Sequence, residues 1–361
     1  VQFAFTDQQT EFRDAVRQVL AKECTTDDLR AAFEAPTARG PRWSVLAELG
    51  VAGLSVPEDH GGLGLGLLDL VLLLEEAGRV ALPEPLLETT ALAAPLIAEL
   101  GGAGPAVGSV GSVGSARSAT SAAWLEGIAA GSVAAAVAEP RPGTRAMAGA
   151  DGADLLVLFA PGHDGGPEIH LVTPDRVTVT AVPTLDPTRR LGVPEWTPTP
   201  ESRLASGPAA RAGIQRTADR ASVGTAAQLL GLSDRMITMT AEYAKARHQF
   251  GKPVGSFQAV KHLLAGAQVK LEFARPVVYA AAWALDQGEP TASRSASTAK
   301  AAASDTASEA ARVALQVHGA IGYTWECDLQ LFLKRAWALA EAWGSASEHR
   351  QRVLASLIAA R

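Results

Sequence analysis

"AEYAKARHQFGKPVGSFQAVKHLLA", residues 241–265, joins two strongly helical stretches through a corner dense in functional side chains. Gly251 and Gly255 can turn the chain there, and Pro253 stops a helix because it lacks an N–H and its ring collides with the preceding turn. Arg247, Gln249, Phe250 and Gln258 crowd the same corner. A guanidinium is a planar fork for phosphate oxygens, carboxamides add hydrogen bonds, and a phenyl ring offers a flat apolar face. Together they can cradle a nucleotide diphosphate. The competing reading is an ordinary helix hairpin whose arginine pairs with carbonyls of the preceding helix.

Working outward, apolar residues keep a helical period from about 209 to 248, 257 to 287, 293 to 318, and 328 to 360 with an interruption near Gly344. The first stretch is about 40 residues, roughly 60 Å of helix. Helices this long joined by short turns pack as an antiparallel bundle. Upstream, residues 131–206 hold short β-branched runs, "ADLLVLFA", "EIHLVTPD" and "RVTVTAVPT", separated by Gly, Pro and Asp, which predict a small β region. Residues 1 to about 100 return to helical spacing and open with Thr6 and Gln9 placed as a capping box. Between these regions, the Gly, Ser and Ala of residues 101–123 have nothing bulky to bury and read as a flexible connection. The expected fold class is mainly α with a small β domain. Its parts are an N-terminal helical domain (1–125), a shortened β domain (126–206) and a C-terminal four-helix bundle (207–361).

Composition narrows the function. The chain has 361 residues and a formal net charge of -6, and no basic stripe that would displace counterions from a nucleic acid. Its two cysteines, Cys24 and Cys327, form neither a disulfide framework nor a thiolate metal site and read as buried small hydrophobes. There is no signal-like N-terminal pattern and no uncharged apolar run of the ~18 residues a membrane span needs. A soluble, cytoplasmic protein with no metal, nucleic-acid or membrane partner is expected.

A second corner lies in "LQVHGAIGYTWECDLQLFLKRA". Gln316 and His318 end one helix, Gly319 and Gly322 let the backbone approach a ligand closely, and Tyr323 to Trp325 lead into the next helix. His318 beside glycines reads as a capping residue rather than a base.

At these two corners the sequence resembles the acyl-CoA dehydrogenase family. "R-x-Q-F-G-K-P-x-x-x-F-Q" followed by "Q-x-H-G-x-x-G-Y-T" is a specific pair, and the likeness extends to "FTDQQTEFRDAVRQVL", "SVPEDHGGLGLGLLDLVLLLEEAGR" and "TLDPTRRL". The resemblance implies bound FAD and a dimer of dimers. It also implies α,β-dehydrogenation of an acyl-CoA thioester, with an electron-transfer flavoprotein as electron acceptor. It further implies that Arg247, Gln249, Phe250, Phe257, Gln258, Gln316, Gly319 and Ala320 contact the ADP half of an FAD shared across a subunit interface.

Two departures qualify that expectation. Most family members place a catalytic glutamate in a Tyr-Glu-Gly-Thr stretch after the second corner; here Trp343 stands in that place, followed by Gly344 and Ser345. Another branch carries its glutamate on the first bundle helix, where this chain has Ala221. An indole and a methyl cannot remove a proton, and losing a positioned base removes about 10²–10⁴ in rate. Asp219 lies roughly 200° around the helix from Ala221. It is a poor substitute base, and a residue facing CoA is its preferred role. Glu326 and Glu341 read as surface charges. The β region also lacks the Gly-Ser-Asp loop and Trp-Ile-Thr-like strand by which the family holds the flavin ring; Gly143, Thr144 and Arg145 read as a hairpin turn or a remnant of that cradle.

The resemblance therefore narrows to the base-deficient subunit of actinobacterial α2β2 acyl-CoA dehydrogenases, which act on bulky thioesters such as steroid side chains. Its expected partner is a homologous chain that carries the glutamate. Two other readings stand beside this one: a self-sufficient homotetramer using Asp219, and a flavin-free CoA-binding or assembly protein.

Overall fold

The computed structural model describes residues 4–36, 40–102, 113–141, 143–162 and 165–359, with backbone alone for 113–119. In chain order the elements are α1 (Asp7–Glu23), α2 (Thr26–Glu34), α3 (Pro41–Glu48), α4 (Leu67–Arg79), a π-helical turn (Leu87–Ala93) running into α5 (Ala94–Gly101), and α6 (Val113–Ala129). Seven strands follow: β1 (Ala135–Val137), β2 (Met147–Ala148), β3 (Leu155–Pro161), β4 (Pro167–Val172), β5 (Thr178–Ala181), β6 (Leu191–Glu195) and β7 (Arg203–Ser206). The C-terminal part comprises α7 (Gly207–Ala246), a two-rung hairpin of β8 (His248–Gln249) and β9 (Lys252–Pro253), α8 (Gln258–Asp286), α9 (Ala292–His318), α10 (Leu329–Glu341) and α11 (Ala346–Ala359). The fold is mainly α with a small β part. The Thr6–Gln9 capping box forms, and α7 runs 40 residues without a break.

One expectation is corrected. The connection expected over residues 101–123 lies partly outside the described residues, and from Val113 the chain is helical. Alanine is the best helix former, and the segment's C-terminal half carries Leu125 and Ile128, both buried, so a composition without bulk at its start still docks as a helix at its end. Cys24 is buried as expected, whereas Cys327 is half-buried.

The chain divides into two compact units. One contains Glu34–Leu70 and Pro83–Ala221. Here β1, β3, β4 and β7 form a sheet in that order, with β1 parallel to β3 and the other pairs antiparallel, while β2, β6 and β5 form an antiparallel sheet. Met147, Leu156, Leu158 and Val172 make their shared core. Thr89 fixes the edge of β1: its Oγ1 accepts from Ala135 N–H at 2.9 Å, satisfying a backbone donor that no strand reaches.

The other unit contains Val1–Phe33, Val71–Leu82 and Ser222–Arg361. Helices α4 and α7 meet there backbone to backbone. A Cβ on Gly231 would lie 1.8 Å from the Glu75 carbonyl oxygen, and one on Gly78 would lie 2.0 Å from that of Gln228. The approach brings Glu75 and Glu76 into the interior, where they are paired. Arg17 binds Glu76 through two N–H groups at 2.9 and 2.7 Å, Arg79 binds Glu76 and Asp234, and Arg275 spans Glu75 and Asp234 at 3.1 Å each. Tyr279 donates its hydroxyl to Glu75, and burial, reinforced by that carboxylate, pushes the phenol's pKa up. Removing one member of such a buried network costs about 3–5 kcal/mol, because its partner is left charged and alone. Helix α9 fills the bundle centre with small side chains, among them Ala296, Ala299, Ala303, Ala307 and Ala310, and this lets α8 and α11 pack close to it.

Candidate functional site

Both corners singled out in the sequence lie in this second unit and are brought together. Helix α7 ends at Ala246, and the chain reverses through the β8–β9 hairpin, where His248 pairs with Pro253 and Gln249 with Lys252. Its two turn residues are Phe250 (φ 54) and Gly251 (φ 76), both left-handed, as the tightest hairpins require. Glycine adopts that geometry freely, but for phenylalanine it is strained. The Phe250 side chain is nevertheless 91% exposed, so little packing among the described residues offsets the strain. Gly255 lets the returning strand touch α7: a Cβ there would lie 2.9 Å from the Ala244 carbonyl oxygen.

The first corner is cationic and rich in donors. Arg247 is exposed and tied to no carboxylate among the described residues; its carbonyl accepts from Val254 N–H at 2.8 Å, which fixes the backbone beneath it. Lys252 and Lys261, later in the same stretch, are also exposed. The Lys252 ammonium sits 4.4 Å from the centre of the Phe257 ring, and Phe250 meets the same ring edge-on at 6.1 Å. Phe257 leads into the 29-residue α8, which begins at Gln258, without a side-chain cap for its first N–H groups. Gln249 donates to the His248 carbonyl at 2.7 Å.

The second corner closes on the first through an aromatic stack. Tyr243, one turn before Arg247, lies against His318 with ring centres 4.2 Å apart and planes 20° apart, and its hydroxyl reaches the His318 carbonyl at 3.4 Å. His318 is buried, its Nδ1 sits 2.9 Å from the Ala314 carbonyl oxygen, and burial pushes its pKa down. Gln316, Gly319 and Ala320 are exposed around it. Gly319 has φ 65 and ψ -145, a conformation open only to glycine, with no atom within 4 Å of where a Cβ would stand. Sequence reading passed over Tyr243; its spacing of four from Arg247 was the available signal.

The residues at the family's base positions are placed differently. Trp343 is 7% exposed in the corner between α10 and α11, with φ 59. Ala221 is fully buried in α7. Asp219 is buried, and its Oδ1 accepts from Gln215 Nε2 one turn away at 3.0 Å. Glu326 and Glu341 are exposed.

In the β region the path after β1 is short. Ala138 N–H continues the pairing to Val157 at 2.9 Å, and the chain then reaches the two-residue strand β2 at Met147. Between them Glu139 pairs with Arg141 at 3.0 Å. The turn is closed by Thr144 N–H to the Arg141 carbonyl, while Arg141 Nε donates to Thr144 Oγ1 at 3.1 Å. Arg141 and Thr144 thus bond to each other within the turn.

Comparison with known proteins gives the family. The acyl-CoA dehydrogenase N-terminal domain family matches residues 6–105 and the C-terminal domain family matches residues 212–358. Acyl-CoA dehydrogenase IpdE2 of Mycolicibacterium smegmatis is 32% identical over 98% of this chain and 99% of its own length. Among solved structures, the ChsE4-ChsE5 complex of Mycobacterium tuberculosis superposes with a TM-score of 0.85 at 24% identity, covering 99% of both chains. The Tcur3481-Tcur3483 steroid ACAD superposes with a TM-score of 0.82 at 28% identity, covering 98% of both. The chain belongs to the acyl-CoA dehydrogenase family, whose members are FAD-dependent oxidoreductases.

Proposed function

We propose that this chain is the subunit of a heteromeric acyl-CoA dehydrogenase that holds the ADP half of FAD and leaves deprotonation to a homologous, glutamate-bearing partner. Bound FAD supplies the hydride acceptor for α,β-dehydrogenation of an acyl-CoA thioester. The donor set at the joined corners fits a pyrophosphate. Arg247 is an exposed, unpaired fork, the uncapped start of α8 at Gln258 adds N–H groups and positive potential, and Gly319 leaves room for close approach. Gln249 and Gln316 would contribute amide hydrogen bonds, Phe250 and Phe257 apolar faces, and Ala320 follows Gly319 as a further exposed contact.

The turn after β1 offers an isoalloxazine ring little, because the Thr144 N–H and hydroxyl are engaged within it and, among the described residues, no further strand lies between β1 and β2. The observation that carries the reading is the pairing of an exposed, donor-rich corner with a buried indole at residue 343. The two-chain names of the ChsE4-ChsE5 and Tcur3481-Tcur3483 structures favour a partner, and the latter's description as a steroid enzyme favours a bulky acyl group. An electron-transfer flavoprotein is the proposed electron acceptor. The bond from Gln215 to Asp219 counts against the homotetrameric alternative, since a carboxylate bound within its own helix is poorly placed as a base.

The reading is tested by assaying dehydrogenation of a steroid side-chain CoA thioester with the chain alone, with a glutamate-bearing homologue alone, and with both co-expressed. Turnover is expected for the co-expressed pair, and equal turnover by the lone chain would overturn it.

A further inference from the structure

The corner bearing Trp343 rests on a buried lysine that the reading above does not use. Lys300, in the middle of α9, has no exposed surface. Its Nζ lies 3.1 Å from Ser304 Oγ and 2.9 Å from the carbonyl oxygens of both Ala340 and Gly344. Three oxygens match the three N–H groups of an ammonium, one more than a neutral amine can supply. Ala340 belongs to the last turn of α10, where carbonyls lack helical partners and positive charge is favoured.

The same corner is gripped from the other side. His349 of α11 is fully buried, and its Nε2 sits 3.0 Å from the Trp343 carbonyl oxygen. A carbonyl only accepts, so Nε2 carries the hydrogen and Nδ1 is bare; Nδ1 is buried and meets no donor. The fit leaves no slack. Gly344 has φ 109, and a Cβ on it would lie 2.9 Å from His349 Nε2. His349 is also the one residue that α11 buries, although that helix is 14 residues long. Most helical stability in proteins comes from a buried face, so α11 depends on this anchor.

We propose that Lys300 and His349 are paired positioning residues, a latch that holds the three carbonyls of Ala340, Trp343 and Gly344 and thereby sets the place of Trp343 and of α11. The latch does not depend on the flavin reading. It does depend on a neutral imidazole. The charged groups around His349 are Lys300 from α9, and Glu348 and Arg352 from α11. Glu348 is held by Ser345 N–H and hydroxyl at 2.7 and 2.9 Å, and Asp305 of α9 pairs with Arg350 of α11. Burial, then the Lys300 charge, lower the His349 pKa to about 4. A second proton on this ring faces an ammonium, and the one carboxylate acting on it among the described residues, Glu348, is already bound to Ser345, so acid opens the latch.

Hydrogen exchange of the full chain, read by mass spectrometry and corrected for the intrinsic pH dependence of exchange, tests this. Between about pH 6 and pH 4, peptides covering residues 345–359 should lose protection at least about tenfold before those of α9 do. His349→Gln keeps a donor near the Nε2 position and cannot titrate, so its α11 should stay protected at the acid end. His349→Phe should lose protection already at neutral pH, as should Lys300→Met over residues 340–359. Should Lys300→Met fail to fold, the two His349 variants still decide. Indistinguishable exchange of His349→Gln, His349→Phe and the unmodified chain across this range would overturn the proposal.

Discussion

At the scale of single residues, the proposed function gives different parts to position 343 and position 247. On the proposed reading, Trp343 takes the acid–base chemistry out of its corner, whereas Arg247 keeps the anion chemistry of the nucleotide corner. Charge-assisted hydrogen bonds of this kind contribute about 1.5–3 kcal/mol. Arg247→Ala in the co-expressed complex should therefore weaken FAD retention by roughly 10- to 150-fold, measured as flavin lost on dilution, with Arg247→Lys intermediate because a point charge replaces a fork. Unchanged flavin content in Arg247→Ala would remove Arg247 from the site. The candidate residues at the two corners were legible because Arg, Gln, Phe and Gly occur together at spacings that few other tasks need. Their joining was not legible. It runs through Tyr243 and His318, a stack between helices whose ends are 72 positions apart in the chain, and local pattern carries no sign of such a contact.

At the scale of elements, periodicity gave α7 to its full length and the capping box of α1 to the residue, because both follow from neighbours within one turn. It missed the helix at Val113–Ala129, where alanine was weighed for what it buries and not for the helix it favours. It missed β6 and β7 as well, since short strands with Gly, Pro or Arg within them are defined by their pairing partners. The crossing of α4 and α7 is another feature set by partners. Gly231 faces the Glu75 carbonyl at a distance no side chain can share, whereas Gly266 in α8 has open space around it. Gly231→Ala should destabilise the chain by about 1–3 kcal/mol or more, and Gly266→Ala should stabilise it by about 0.5–1 kcal/mol through helix propensity. Denaturant titration of the two variants checks the opposite signs; equal shifts would contradict the backbone-contact account of the crossing.

At the scale of the whole molecule, stability should fall in mild acid. The folded-state pKa of His349 is lowered from the ordinary 6.5 to about 4, so between these values the unfolded chain binds more protons than the folded one. The stabilising effect of keeping this ring neutral is complete above about pH 6.5 and is lost as pH falls toward about 4, a loss of order 3 kcal/mol. His170 and His318, whose pKa values burial also lowers, act in the same direction. The denaturant midpoint of the chain should thus decline over that window, and His349→Gln should decline less. A midpoint that is flat in the unmodified chain would show that His349 is not buried neutral.

The same scale holds the central claim, that one polypeptide grips the nucleotide end of a prosthetic group whose reactive end and base belong to another. The direct measurement is the molar ratio of FAD to this chain after purification by a tag on this chain, with and without a co-expressed glutamate-bearing homologue. The account predicts almost no flavin on the chain alone, and in co-expression both the homologue and near-stoichiometric flavin recovered together. A fully flavinylated chain purified without any partner would contradict it.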